Sequence, residues 1–199
     1  MENRDTLLKN LETRGFTPHH FATGAEAADF VLSQLSDTTV GIGGSVTVQQ
    51  LELYDRLCEH NTVYWHWKNK DPQTRTLANA SDAYICSVNG LSESGEMVNI
   101  DGTGNRVAAT LCGPQRVFLI VGKNKIAPDL QSAVDRARNV ASPLNARRLN
   151  TKTPCTVGDV KCHDCKSPER ICNAMVTTMR KPGALKECHV IIVEEDLGY

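Results

Sequence analysis

Four cysteines fall within eighteen residues: Cys155, Cys162, Cys165 and Cys172, spaced C-x6-C-x2-C-x6-C. The inner pair can turn two sulfurs toward one centre. Six residues on each side leave slack for the outer pair to fold back. Thiolates are ligands for zinc and for iron–sulfur clusters, so the segment reads as a metal site. Zinc sites commonly pair two C-x2-C knuckles, and this segment has one. A single short segment giving all four ligands is familiar from iron–sulfur proteins, although this spacing is not the ferredoxin run. On the residues alone, zinc and a [4Fe–4S] cluster both stay open. His163 could replace one sulfur on zinc or remain solvated, and Cys188 and His189 are weaker candidates. A helix expected from Pro168 to Lys181 would aim its N-terminus at the anionic sulfurs.

Two further segments could do chemistry. Residues 41–47, Gly-Ile-Gly-Gly-Ser-Val-Thr, read as strand, glycine turn, helix. That arrangement points free backbone N–H groups at an anion. Gly43 and Gly44 would let the backbone approach a ligand, while Ser45 and Thr47 add hydroxyls. The plainer alternative is a tight turn with Ser45 as an N-cap. The motif lacks the third glycine of a dinucleotide fingerprint and the lysine of a P-loop. Residues 89–106 are rich in glycine and polar side chains. There Gly102, Gly104 and Asn105 could border a ligand, and Arg106 could hold a carboxylate or phosphate. Glu93 or Glu96 could act as base or nucleophile if held in a cleft; otherwise both are solvated on a polar hairpin.

These residues need a frame. At 199 residues the chain is read as one domain, residues 1–199, with a cysteine-rich insert over 151–173. Such a length buries roughly 70% of the unfolded surface, so disulfides are not needed. The net charge is −1 and no basic stripe argues for nucleic acid. The longest apolar run is residues 117–121, far short of a membrane span. The charged N-terminus lacks a signal-peptide segment, which predicts a cytoplasmic protein. In a reducing compartment the eight cysteines are thiols or ligands. Cys58, Cys86 and Cys112 lie among apolar residues and are expected in the core.

Periodicity predicts helices over residues 2–14, 23–35, 45–57, 72–80, 105–111 and 127–140, and strands over 39–42, 62–67, 83–88, 96–100, 116–121 and 189–193. Thr23 and Glu26 form a capping-box pattern. The alternation predicts an α/β fold: a three-layer α/β/α sandwich around a mostly parallel sheet, with the cysteine segment as a loop at one edge. Ligand loops gather at the carboxyl ends of strands in such sheets. A cluster that passes electrons to a substrate should therefore stand near residues 43–47, whereas a structural staple could sit anywhere.

Three segments in order resemble the lactate-utilisation (LUD) domain family: residues 41–47; residues 81–90, Ser-Asp-Ala-Tyr-Ile-Cys-Ser-Val-Asn-Gly, with Ser-Gly-Glu-Met-Val-Asn at 94–99; and residues 113–122, Gly-Pro-Gln-Arg-Val-Phe-Leu-Ile-Val-Gly. The four cysteines, with Ser167-Pro-Glu-Arg-Ile-Cys172, are similar to a cysteine-bearing branch of that family. The resemblance implies the fold shared by glucosamine-phosphate deaminases, ribose-phosphate isomerases and CoA transferases. It implies an anionic small molecule at residues 43–47 and a [4Fe–4S] cluster in preference to zinc. It also implies a role in lactate or small organic acid metabolism beside other iron–sulfur redox proteins. It supplies no catalytic set. An accessory redox subunit is one expectation. The alternative is an isomerase or acyl/CoA-transfer enzyme using Glu93 or Glu96, with a structural zinc or iron–sulfur site.

Overall fold

The computed structural model describes residues 2–199; Met1 lies outside them. Along the chain the elements are α1 (Glu2–Thr13), β1 (Thr17–Phe21), α2 (Gly24–Ser33), β2 (Thr39–Ile42), α3 (Val46–Gln50), α4 (Leu53–Cys58), β3 (Thr62–Trp65), α5 (Thr74–Asn79), β4 (Ala83–Cys86), β5 (Gly90–Ser92), β6 (Met97–Asp101), α6 (Asn105–Leu111), β7 (Arg116–Gly122), β8 (Ile126–Ala127), α7 (Leu130–Arg136), α8 (Ser142–Arg148), β9 (Ala174–Thr178) and β10 (Glu187–Val193). The main sheet has the order β1-β10-β7-β4-β2-β3. Every pairing in it is parallel.

Side chains alternate across a strand, and here both faces are covered. Val40, Ile42, Ala83, Ile85, Phe118 and Ile120 pack on one face against Ala27, Val31, Leu53 and Leu57 of α2 and α4. Tyr84, Cys86, Val117, Leu119 and Val121 pack on the other against Leu7 and Leu11 of α1, Ala78 of α5 and Ala109 of α6. This is the expected three-layer sandwich. A smaller sheet, β8-β5-β6-β9, lies beside it. There Val98, Ala127, Ala133 and Ala137 form a separate apolar cluster with α7.

Helix α5 lies directly on β2. A Cβ on Gly41 would fall 2.1 Å from the Ala78 carbonyl oxygen and 2.7 Å from its carbon. Gly41→Ala is therefore expected to cost about 3 kcal/mol, because backbone must move to admit the methyl. A fall in the urea midpoint would register it; an unchanged midpoint would show that α5 shifts freely.

Several elements depart from the sequence reading. The segment expected as a helix from Pro168 to Lys181 is irregular up to β9, which pairs antiparallel with β6. The β-branched Val176, Thr177 and Thr178 favour a strand over a helix. The helix N-terminus expected at Pro168 is therefore not there to face the cysteines. The helix expected over residues 45–57 is two helices, α3 and α4, broken at Glu52, whose φ is +50°. Strand β1 was not expected: Thr-Pro-His-His-Phe has no alternation, but it is an edge strand, where proline is tolerated. Of the three cysteines expected in the core, Cys86 is buried while Cys58 and Cys112 are exposed.

The helix expected to end at Val140 instead continues to Arg148. Residues Ala137–Ala141 form a π turn between α7 and α8. Pro143 offers no N–H to Asn139 and would crowd its carbonyl in a regular helix; a π turn just ahead of it accommodates both. The extension carries Ser142, Asn145 and Arg148 into the site described next.

Candidate functional site

The carboxyl ends of β2, β3, β4, β7 and β10 lie at one end of the sheet. The chain turns outward from β2 to β3, then returns to place β4, β7 and β10 on the other side of β2. Such a switch between neighbouring strands opens a crevice at their carboxyl ends. Here it is a cleft of about 180 Å³. Residues 44–47 after β2, His66 and Trp67 after β3, and residues 87–89 after β4 form its floor and walls. Lys125 after β7, Tyr199 after β10, residues of the segment 100–106, Ile171, and Ser142, Asn145 and Arg148 of α8 also line it.

Lys125 is the chemical centre of the cleft. It is only 3% exposed. Its Nζ donates to Thr47 Oγ1 at 2.8 Å and Ser87 Oγ at 2.8 Å, and among the described residues no carboxylate accepts from it. Burial, followed by the Arg136 and Arg106 charges, brings its pKa from 10.5 down to about 7. Thr47 Oγ1 also donates to the Leu197 carbonyl at 3.2 Å. The chain's last residues press on this group: a Cβ on Gly198 would stand 2.5 Å from Thr47 Oγ1 and 3.1 Å from Lys125 Nζ. The Arg148 guanidinium lies 4.5 Å over the Trp67 ring. His66 Nδ1 is buried without a hydrogen-bond partner, and burial lowers the pKa of that ring.

The four clustered cysteines line one small pocket, with Arg138, Pro143, Ala146 and Arg170. All four are unpaired thiols and half-buried. The segment has almost no regular structure and is held by side-chain bonds. Arg170 donates to the Cys165 carbonyl at 2.7 Å and the Cys172 carbonyl at 3.0 Å. Glu169 accepts from Lys152 N, and Asn139 accepts from Cys162 N. Gly102 lets the insert approach the cleft, since a Cβ there would meet the Ile171 carbonyl oxygen at 2.7 Å. Among the described residues no group of three or more His, Cys, Asp or Glu stands close enough to hold a single metal ion. The cleft and the cysteine pocket share Ser142 and Ile171 as lining, so one layer of side chains separates them.

A family model for the LUD domain matches residues 5–193. The chain belongs to the LUD domain family. A crystal structure of a DUF162 family protein from Deinococcus radiodurans, at 1.70 Å resolution, is similar to it with a TM-score of 0.56. The identity is 12% and the match covers 96% of each chain, a likeness of fold alone. No curated protein matches the sequence of this chain.

Within this LUD domain, Gly44, Ser45, Thr47, Gly102, Asn105 and Arg106 line the cleft, whereas Gly43 and Gly104 do not. Ser45 caps α3 by accepting from Val48 N at 3.3 Å. A Cβ on Gly43 would lie 2.9 Å from Tyr84 Oη and 3.1 Å from Arg106 Cγ. Gly104 N donates to Asp101 Oδ1, which also accepts from Thr103 N, while Asp101 Oδ2 accepts from Val107 N. Asp101 thus holds the turn ahead of α6 and the Val107 N–H of its first turn. Arg106 is similarly occupied. Its Nη1 donates to the Ser87 carbonyl and Asn99 Oδ1, and its Nη2 to Asn89 Oδ1 and the Ile100 carbonyl. This guanidinium braces the cleft wall. Neither Glu93 nor Glu96 lines the cleft. The Glu96 carboxylate is engaged by Arg14, Ser92 and Ser94 on another side of the small sheet.

Sequence reasoning missed Lys125, Ser87, His66, Trp67 and Arg148. The position of Lys125 just after the most apolar strand was the available signal, because loops at that end carry ligand groups.

Proposed function

We propose that this LUD domain holds a small anionic metabolite in the cleft and a [4Fe–4S] cluster on Cys155, Cys162, Cys165 and Cys172. In this reading it serves the cytoplasmic oxidation of lactate or a similar organic acid, beside other iron–sulfur redox proteins. The observation that carries the reading is the contiguity of the two pockets through Ser142 and Ile171. A cluster bound there would supply single-electron transfer. The donor set fits it: four soft thiols sit in one partly apolar pocket, and Arg138 and Arg170 beside them offset anionic charge. Zinc would draw four sulfurs to about 2.3 Å from one ion.

In the cleft, Lys125 and Arg148 supply positive charge for a carboxylate or phosphate, with Thr47 and Ser87 as hydroxyl partners. The isomerase or acyl/CoA-transfer alternative is not favoured, since its glutamates stand away from this cleft.

Anaerobic purification followed by iron and sulfide analysis tests the cluster. About four irons per chain are expected, with absorbance near roughly 400 nm that bleaches with dithionite. A colourless chain holding zinc would overturn that half. Calorimetry with phosphate and lactate tests the cleft, where no heat from either ligand would overturn the other half.

A further inference from the structure

We propose that Lys125 is a nucleophilic amine that condenses with the carbonyl group of a small 2-oxo acid or aldehyde in the cleft, forming an imine. This rests on the cleft being a small-molecule site, as proposed above, and adds a covalent step to it. The geometry is that of an amine kept free. Its partners are two hydroxyls at 2.8 Å, and among the described residues no carboxylate bonds to it. The acid that shares the cleft, Asp101, is committed to the backbone of residues 103, 104 and 107. The two cations that act on it, Arg136 and Arg106, are both fixed. Arg106 is held by carbonyl and amide oxygens, and Arg136 donates to the carbonyls of Asn124 and Asn89. Cys86 lies beneath with its thiol pushed up to about 11 by burial, so it adds no anion at neutral pH. His66, Arg148 and Tyr199 line the same space. With its pKa brought down to about 7, the Lys125 amine gives up its proton far more readily than an exposed lysine and can carry a free lone pair near neutral pH.

The step balances within the site. The nitrogen lone pair adds to the carbonyl carbon, and the carbonyl oxygen takes a proton to give a carbinolamine. Loss of the nitrogen's protons and departure of that oxygen as water leave the C=N bond. Thr47 and Ser87 hydroxyls stand where those protons move. No oxidant or reductant is consumed. Arg148, poised over Trp67 and lining the cleft, supplies a cation for the acid's carboxylate. The cleft volume of about 180 Å³ restricts the partner to a compact molecule.

The test treats the anaerobically purified full chain with pyruvate and sodium cyanoborohydride at pH 7, then maps modified peptides by mass spectrometry. The expected result is a reduced adduct on Lys125 at least about tenfold above any exposed lysine, because exposed amines remain protonated. Lys125→Arg should lose that adduct, because a guanidinium stays protonated and offers no nucleophilic lone pair. Label scattered over exposed lysines with none on Lys125, while phosphate or lactate still binds, would overturn the inference and reduce Lys125 to a counter-charge. Loss of both labelling and anion binding would take down the cleft reading as well.

Discussion

Lys125→Met is expected to abolish anion binding and, at the same time, to stabilise the fold near neutral pH. The side chain is 3% exposed, and its pKa falls from 10.5 unfolded to about 7 folded. That fall corresponds to roughly 5 kcal/mol of unfavourable burial, an upper bound. The variant loses two hydrogen bonds to hydroxyls, worth about 1 kcal/mol each. A net gain on the order of 2–3 kcal/mol follows. The sign with pH is fixed by linkage. Between pH 7 and 10.5 the unfolded chain holds a proton on this residue that the folded chain has released, so wild-type stability rises with pH across that window. The penalty is fully present below pH 7 and gone above 10.5. Urea titrations at several pH values, wild type against Lys125→Met, isolate this term. A difference that does not shrink as pH rises from 7 toward 10.5 would show that the amine is charged and well paired in the fold.

Cys162→Ser is expected to remove the proposed cluster altogether. Serine is a poor ligand for a soft centre, and three remaining thiols leave one iron without its protein ligand. Iron should drop to well under half of wild-type content, with the visible absorbance lost. Residues 151–173 have little helix or strand of their own, with a short turn at Pro154–Thr156 as their regular element. Without the metal, their order rests on partly exposed bonds such as those of Arg170 and Glu169. Limited proteolysis should then cut within the insert while the sandwich stays intact. Cys112→Ser, at an exposed thiol outside the lining of the cysteine pocket, serves as the comparison and should retain full iron. Equal iron in the two variants would remove Cys162 from the ligand set.

The two sites were legible in the sequence to different degrees. The four cysteines lie close in the chain, so their local spacing alone keeps them near one another, and they do line one pocket. The central strands were equally legible. Residues 116–121 are nearly all apolar because β7 is buried on both faces between β10 and β4. The turn at residues 43–47 announced a strand-to-helix junction, and glycine at 43 is required by the close approach of Tyr84 and Arg106.

Other features depended on partners far away in the chain. Lys-Asn-Lys after β7 looks like a solvated turn, yet Lys125 is buried beside Thr47, Ser87 and Gly198, all distant in the chain. Its depressed pKa comes from that burial and from Arg136 and Arg106, which no local pattern links to it. Arg106, inviting as an anion clamp, is filled by oxygens of β6 and of the loop after β4. The segment before Lys181 became a strand because the edge of β6 was available to pair with it. Sequence by itself determined the apolar alternation of the sandwich and the local thiol cluster, since both arise from neighbouring residues. Only the tertiary structure decided which polar groups are buried, how they are charged, and that the cleft abuts the cysteine pocket, since each depends on contacts between distant segments.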